Sequence, residues 1–151
     1  MDNFEFINGG IEILDIVQLL WEKLNKQHGN LSTYFQHQFR ENNFENRKSK
    51  FVSKSTIAIN VDLIKRNELY IGYCISTINS DSVGEIDSLF IEEEYRKLGL
   101  GDKLITRALE WLNSNNVKSK IIAVAEGNEA VLEFYKKYNF NKRIVILQEN
   151  S

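Results

Sequence analysis

Hydrophobic and polar positions change period several times along the chain, and each change marks an element. Phe4-Glu5-Phe6-Ile7 reads as a short strand, stopped by Asn8-Gly9-Gly10. Leu14, Val17, Leu20, Trp21 and Leu24 then recur at intervals of three and four, the apolar stripe of an amphipathic helix that His28-Gly29-Asn30 is expected to end. Ser32 or Thr33 offers a cap for a second helix, in which Tyr34, Phe35, Phe39 and Phe44 are interleaved with polar residues, and a further turn runs over residues 47–51. The period falls to two, with many β-branched residues, over residues 55–64 and again over 69–78, with Lys65-Arg66-Asn67-Glu68 between them. That pattern is a hairpin. Asn79-Ser80-Asp81-Ser82 turns the chain again, and residues 83–91 make the third strand of an antiparallel meander.

Helical spacing returns with Leu104, Ile105, Ala108, Leu109, Trp111 and Leu112, and Asn113-Ser114-Asn115-Asn116 breaks it. Residues 120–125 are apolar without alternation, as expected of a strand covered on both faces. Asn128 is placed to cap a helix through Ala130, Val131, Phe134, Tyr135 and Tyr138, which Asn139-Phe140 ends. Residues 143–147 read as a last strand.

One stretch organises the rest: Glu94-Tyr95-Arg96-Lys97-Leu98-Gly99-Leu100-Gly101-Asp102-Lys103-Leu104. It follows a strand, carries two glycines and opens a helix. The free N–H groups and the dipole of a helix's first turn favour an anion there, and Gly99 and Gly101 let backbone approach it closely. Arg96 and Lys97 add mobile positive charge. The P-loop and dinucleotide spacings are both absent. By itself this stretch reads equally as a glycine turn capping a helix.

What remains is Arg96-x-x-Gly99-x-Gly101, which resembles the acetyl-coenzyme A pyrophosphate loop of the GNAT superfamily of N-acetyltransferases. Further on, Asn128-x-Ala130-x-x-x-Phe134-Tyr135-x-x-Tyr138-Asn139-Phe140 is similar to that family's Asn-x-x-Ala…Tyr-x-x-x-Gly-Phe signature. The element order also resembles the family's from end to end. The resemblance implies an α/β fold with a mixed central sheet, an antiparallel meander and flanking helices, as one domain over residues 1–151. Three positions depart from the pattern. Glu93 stands where many members have proline, Asn139 replaces glycine at a left-handed helix end, and Asp102 puts a carboxylate beside the expected pyrophosphate.

The same resemblance implies the site. Backbone from Leu89, Phe90 and Ile91 would meet the pantetheine arm and the thioester oxygen. Arg96, Lys97, Leu98, Gly99, Leu100, Gly101 and Asp102 would form the pyrophosphate loop, and Asn128 would contact the cofactor. Tyr135 matches the tyrosine that protonates the departing thiolate, with a core aromatic as the alternative reading. Alternation places Val83, Glu85, Asp87, Leu89 and Ile91 on one face of a strand, so two carboxylates project from an apolar surface. Glu85 sits where some members carry a catalytic glutamate and would act as general base through water, with Asp87 as the other candidate. Tyr34 or Phe35 would border the acceptor.

Composition narrows this further. A net charge of −2 gives no nucleic-acid footprint. No apolar run reaches the length of a membrane span, the N-terminus has no basic-then-apolar leader, and a cytoplasmic protein is the default expectation. A lone Cys74 and two histidines hold no metal-ligand spacing, so no metal is expected. The expected activity is transfer of acetyl from acetyl-CoA to a primary amine of a small molecule or a protein. A non-catalytic acyl-CoA-binding sensor or interaction module of the same fold is the alternative. Acidic positions at Asp62, Asp81, Glu85, Asp87 and Glu92 to Glu94 hint at a cationic acceptor, and a homodimer is left open.

Overall fold

In a computed structural model that describes residues 3–150, the alternating stretches pair as a meander. β2 (Thr56–Arg66), β3 (Leu69–Asn79) and β4 (Val83–Ile91) run antiparallel in succession. β1 (Phe4–Gly9) pairs antiparallel with β2, and β5 (Ser119–Ile122) lies parallel to β4. The sheet order β1-β2-β3-β4-β5, with one parallel pair, is the mixed α/β sheet that the resemblance implies.

Helices cover both faces. On one, a 3₁₀ turn at Ile11–Val17 leads into α1 (Gln18–Leu31), and Leu14, Trp21, Phe44 and Phe51 bury against Leu63, Tyr73, Ile75 and Phe90. On the other, α4 (Leu100–Ser114) presses Leu104, Ile105, Ala108 and Leu112 onto Ile64, Cys74 and Ile86. Each fully buried Leu or Ile contributes about 1.5–3 kcal/mol of transfer free energy. Such packing fixes the rotation of α4, and with it the direction in which its N-terminus points. A polar tie reinforces this: Asp62, 1% exposed, accepts from Arg107 Nε at 3.0 Å, Asn8 Nδ2 at 2.9 Å and Asn60 Nδ2 at 3.2 Å. The buried carboxylate is thus paired and hydrogen-bonded, joining α4 to β1 and β2.

Several elements differ from the sequence expectation. α1 continues past His28 and Gly29 to Leu31. The aromatic-rich helix is two helices, α2 (Gln36–Glu41) and α3 (Phe44–Phe51), because Asn43 is extended and its side chain caps α3 by accepting from the Asn46 N–H at 2.8 Å. β5 stops at Ile122, and with Ile121 47% exposed it is an open sheet edge and not a strand covered on both faces. Downstream, a 3₁₀ turn at Glu129–Val131 precedes a short α5 (Leu132–Lys136). The strand expected over residues 143–147 does not form. A strand exists only against a partner edge, and among the described residues this segment meets none; Ile144, Val145, Ile146 and Leu147 are 66%, 73%, 84% and 91% exposed. No helix among the described residues is long and apolar enough to cross a membrane.

Candidate active site

The site begins with a fault in the meander. Ile75 of β3 pairs with Ser88 and Ser76 pairs with Ile86, leaving Asp87 as an extra residue in β4. Such a bulge breaks the two-residue period and re-aims side chains. Ile86, Leu89 and Ile91 therefore pack on the α4 side, whereas Phe90 belongs to the cluster under α1 and α3. Glu85 and Asp87 turn toward α3, whose Arg47 influences both. The expectation that Glu85, Asp87, Leu89 and Ile91 share a face is thus corrected: the bulge separates the carboxylates from Leu89 and Ile91.

Beyond the bulge, β4 also loses its other neighbour. Its parallel ladder with β5 runs from Val83 opposite Ser119 to Ile86 opposite Ile122 and then stops. From Asp87 onward the two chains part, and the gap between Ile86–Ile91 and residues 122–125 is the throat of a cavity of about 710 Å³.

At one end of this cavity lies the glycine loop. Lys97 (φ 64°) and Gly99 (φ 80°) take left-handed conformations that coil it tightly onto the helix. No side chain caps α4, and its first bond runs from the Lys103 N–H to the Gly99 carbonyl at 3.2 Å. The N–H groups of Leu100, Gly101 and Asp102 are those of the first turn, left for an outside partner. A Cβ at Gly101 would stand 3.5 Å from Phe134 Cζ and 3.7 Å from Ile91 Cδ1, so glycine leaves a slot there that a side chain would fill. Free amides with such a slot fit the phosphates of a coenzyme A.

The loop's charges are arranged differently from the sequence expectation. Arg96 is not mobile: its Nε donates to the Ile91 carbonyl at 2.8 Å, its Nη2 donates to Gln27 Oε1 at 3.0 Å, and the guanidinium lies over the Phe90 ring. It tethers the loop to β4 and α1. Asp102 does not cap the helix; its carboxylate accepts from Lys137 Nζ at 2.8 Å and from the Tyr138 hydroxyl, which hold it below the usual carboxylate range. Its charge is therefore offset before any phosphate arrives. Leu98 is half exposed and does not line the cavity, whereas Asn128 does.

Tyr135 of α5 reaches the cavity from the β5 side, and burial pushes its hydroxyl up to about 12. Opposite, Asp87 accepts from the Thr77 hydroxyl at 2.6 Å. Burial lifts its carboxyl to about 7, with neighbouring Glu85 adding to the rise while Thr77 and Arg47 oppose it. Glu85 is raised by burial too but does not line the cavity. The connection from β5 to α5 is locked onto the end of α1. Glu126 accepts from Ser32 Oγ at 2.6 Å and the Thr33 N–H at 2.9 Å, and Gly127 (φ 97°) packs so closely that a Cβ would lie 2.3 Å from the Leu31 carbonyl oxygen.

The far end of the cavity, between α1 and α3, was not legible in the sequence. His28, Phe39, Asn42, Arg47 and Lys50 line it, while Tyr34 is 60% exposed and both Tyr34 and Phe35 lie off the cavity. Arg47 donates to the Asp87 carbonyl at 3.0 Å and stacks over Phe51 at 4.4 Å. His28 Nδ1 is buried without a partner, and desolvation, helped by Arg47, holds the ring below its usual pKa. The expected acidic surface does not converge here, since Asp62 lies on the α4 side, paired with Arg107.

A mixed sheet whose fourth and fifth strands part over an uncapped helix N-terminus is the arrangement of the GNAT fold. The chain belongs to the Acetyltransferase (GNAT) family, whose profile matches residues 13–140. Among curated proteins it is 31% identical over 72 residues to an uncharacterized N-acetyltransferase of Methanocaldococcus jannaschii, a stretch covering 48% of this chain and 32% of that protein. It is also 28% identical over 71 residues to streptothricin acetyltransferase A of Bacillus subtilis, covering 44% and 41%. The matched region thus spans well under half the length of these relatives. In three dimensions it superposes on a Pyrococcus furiosus protein described as an acetyl transferase (TM-score 0.75, 19% identity, 97% and 99% of the two chains). An aminoglycoside N-acetyltransferase solved with CoA also superposes (TM-score 0.63, 11% identity, 100% and 97%). At these identities the structural likeness is one of fold.

Proposed function

We propose that the protein is an acetyl-CoA-dependent N-acetyltransferase acting on the primary amine of a small molecule. The observation that carries this reading is the parting of β4 from β5 at Asp87, above the free amides of α4 and between Asp87 and Tyr135. Bound acetyl-CoA supplies an activated thioester carbonyl to an amine entering from the α1–α3 end. Leu100, Gly101 and Asp102 hold its phosphates through backbone N–H groups, Asn128 offers its amide, and backbone at Leu89 to Ile91 lies along the gap for the pantetheine arm.

An alkylamine of pKa about 10 arrives protonated at neutral pH, so a base must take its proton. Asp87 fills this role, because it lines the cavity and its carboxyl is poised near neutrality; Glu85, behind it, raises that poise. Tyr135, still protonated at neutral pH, gives its proton to the departing thiolate. Arg47 and Lys50 at the acceptor end favour an amine that also carries an anionic group, such as an amino acid.

Release of free thiol from acetyl-CoA, measured across amino acids, aminoglycosides, polyamines and peptides, tests the proposal. Turnover with an acceptor bearing an acidic group is the expected result. Tight CoA binding with no acceptor consumed across that panel would favour a sensor or interaction module.

A further inference from the structure

Tyr135 sits on a helix too short to hold itself in place. α5 has 5 residues, well below the length at which a helix persists without packing, and among the described residues no hydrogen-bond partner holds the Tyr135 hydroxyl. The ring is therefore placed by whatever fixes the backbone around it. The N–H groups of Tyr138 and Phe140 both donate to the Tyr135 carbonyl, at 3.0 and 3.2 Å, as the chain turns back through Asn139 at φ 67°. Two side chains of this turn reach across to α4 and end on one atom: Lys137 Nζ donates to Asp102 Oδ1 at 2.8 Å, and the Tyr138 hydroxyl donates to the same oxygen. Phe134, just before Tyr135, is enclosed by the same group, with Lys137 Nζ 4.7 Å from its ring centre and edge contacts to Tyr135 and Tyr138 at 5.3 and 5.8 Å.

Asp102 also belongs to the first turn of α4, where its main-chain N–H is left for an outside partner, beside the Gly101 slot that opens against Phe134. A carboxylate here repels a phosphate, and it does not serve as a cap, since no side chain caps α4. What it does instead is grip α5. We propose that Asp102 is a positioning residue for Tyr135: it ties α5 to the phosphate-binding turn of α4, so that occupation of the glycine loop and placement of the thiolate's proton donor are coupled. The inference rests on Tyr135 being that donor, as proposed above. Asp102 itself neither gives nor takes a proton; the Tyr135 O–H passes its proton to the sulfur as the C–S bond breaks.

Asp102→Ala keeps the main-chain N–H and removes the tie at a side chain that is 44% exposed. It should lower kcat by about tenfold with KM for acetyl-CoA no higher, and Asp102→Asn, which can still accept from Tyr138, should recover most of the loss. Lys137→Met with Tyr138→Phe cuts the same tie from α5 and should reproduce the fall in kcat. In a Tyr135→Phe background Asp102→Ala should cause no further fall, because the group it places is already gone. Amide hydrogen exchange reads the coupling apart from turnover: CoA should slow exchange at Tyr138 and Phe140 by about tenfold in the wild type and leave it unchanged in Asp102→Ala, although that variant still binds CoA by calorimetry. An equal fall of kcat in both backgrounds, or protection of α5 by CoA that survives Asp102→Ala, overturns the coupling and leaves Tyr135 as the donor. A raised KM for acetyl-CoA with unchanged kcat makes Asp102 a cofactor contact alone and overturns it too. A Tyr135→Phe protein with the wild-type rate overturns the donor reading, and this inference with it.

Discussion

The Thr77 hydroxyl donates to Asp87 Oδ2 at 2.6 Å across a strand pair in which Asp87 has no partner. The bulge that orphans Asp87 is therefore also what hands it a specific donor. A carboxylate in a regular strand would have alternated with its neighbours; here it is displaced to the point where β4 leaves β5 and the cavity opens.

That placement makes Asp87 the residue on which the pH profile rests. With its carboxyl near 7, kcat/KM should rise with pH through about that value, and Asp87→Asn should lower kcat by about 10²–10⁴-fold. Glu85→Gln should be milder and shift the limb to lower pH, because it removes a neighbouring negative charge. Thr77→Val should shift it upward, since its hydroxyl favours the ionised form. If Glu85→Gln abolishes turnover while Asp87→Asn does not, the two roles must be exchanged.

The same carboxyl sets a stability trend of opposite sign to the activity. Its folded pKa exceeds the ordinary value of 3.8, so between 3.8 and about 7 the native state holds a proton that the unfolded chain releases. The Asp87 contribution to stability thus declines as pH rises through that window and is least favourable above it. Asp87→Asn should stabilise the protein at pH 8 by about 1–3 kcal/mol and have little effect at pH 4. Urea unfolding at both pH values and one protein concentration checks this; equal destabilisation at both would contradict it.

Tyr135→Phe deletes only a hydroxyl held protonated to about 12. Affinity for CoA and melting temperature should change little, while kcat falls by about 10²-fold. A wild-type rate would make Tyr135 a packing residue of the core under α4.

Two glycines should fail in different ways. Gly101→Val meets only the Phe134 ring and Ile91 in the folded chain, at 3.5 Å and beyond, so it should fold and lose CoA binding by calorimetry. Gly127→Ala forces a Cβ to 2.3 Å from the Leu31 carbonyl oxygen at a positive φ, so it should lower thermal stability before any ligand is added. Unchanged CoA affinity in a folded Gly101→Val protein would reduce the loop to a helix cap.

Lys50→Glu reverses a charge at the acceptor end, away from the glycine loop. KM for an acceptor bearing an acidic group should rise by about tenfold with KM for acetyl-CoA unchanged, a difference of about 1.4 kcal/mol in acceptor binding. Equal KM values for anionic and cationic acceptors in wild type and variant would show that Lys50 does not read the acceptor.

Periodicity by itself determined the antiparallel meander of β2, β3 and β4, because strands that alternate and are joined by short polar turns have few ways to pair. The start of the glycine loop was legible for a similar reason: Gly99, at φ 80°, answers a local backbone demand that no distant residue alters. Only the tertiary structure decided the rest. Where β4 slips past β3 depends on the fit of two strands and not on either alone, so the turning of Asp87 away from Leu89 could not be read from alternation. The acceptor end joins His28 to Arg47 and Lys50 from separate helices, and the split between α2 and α3 at Asn43 is what brings Arg47 over Asp87. Residues 143–147 show the same limit from the other side: their composition suggests a strand, but a strand is completed by an edge, and among the described residues this segment pairs with none.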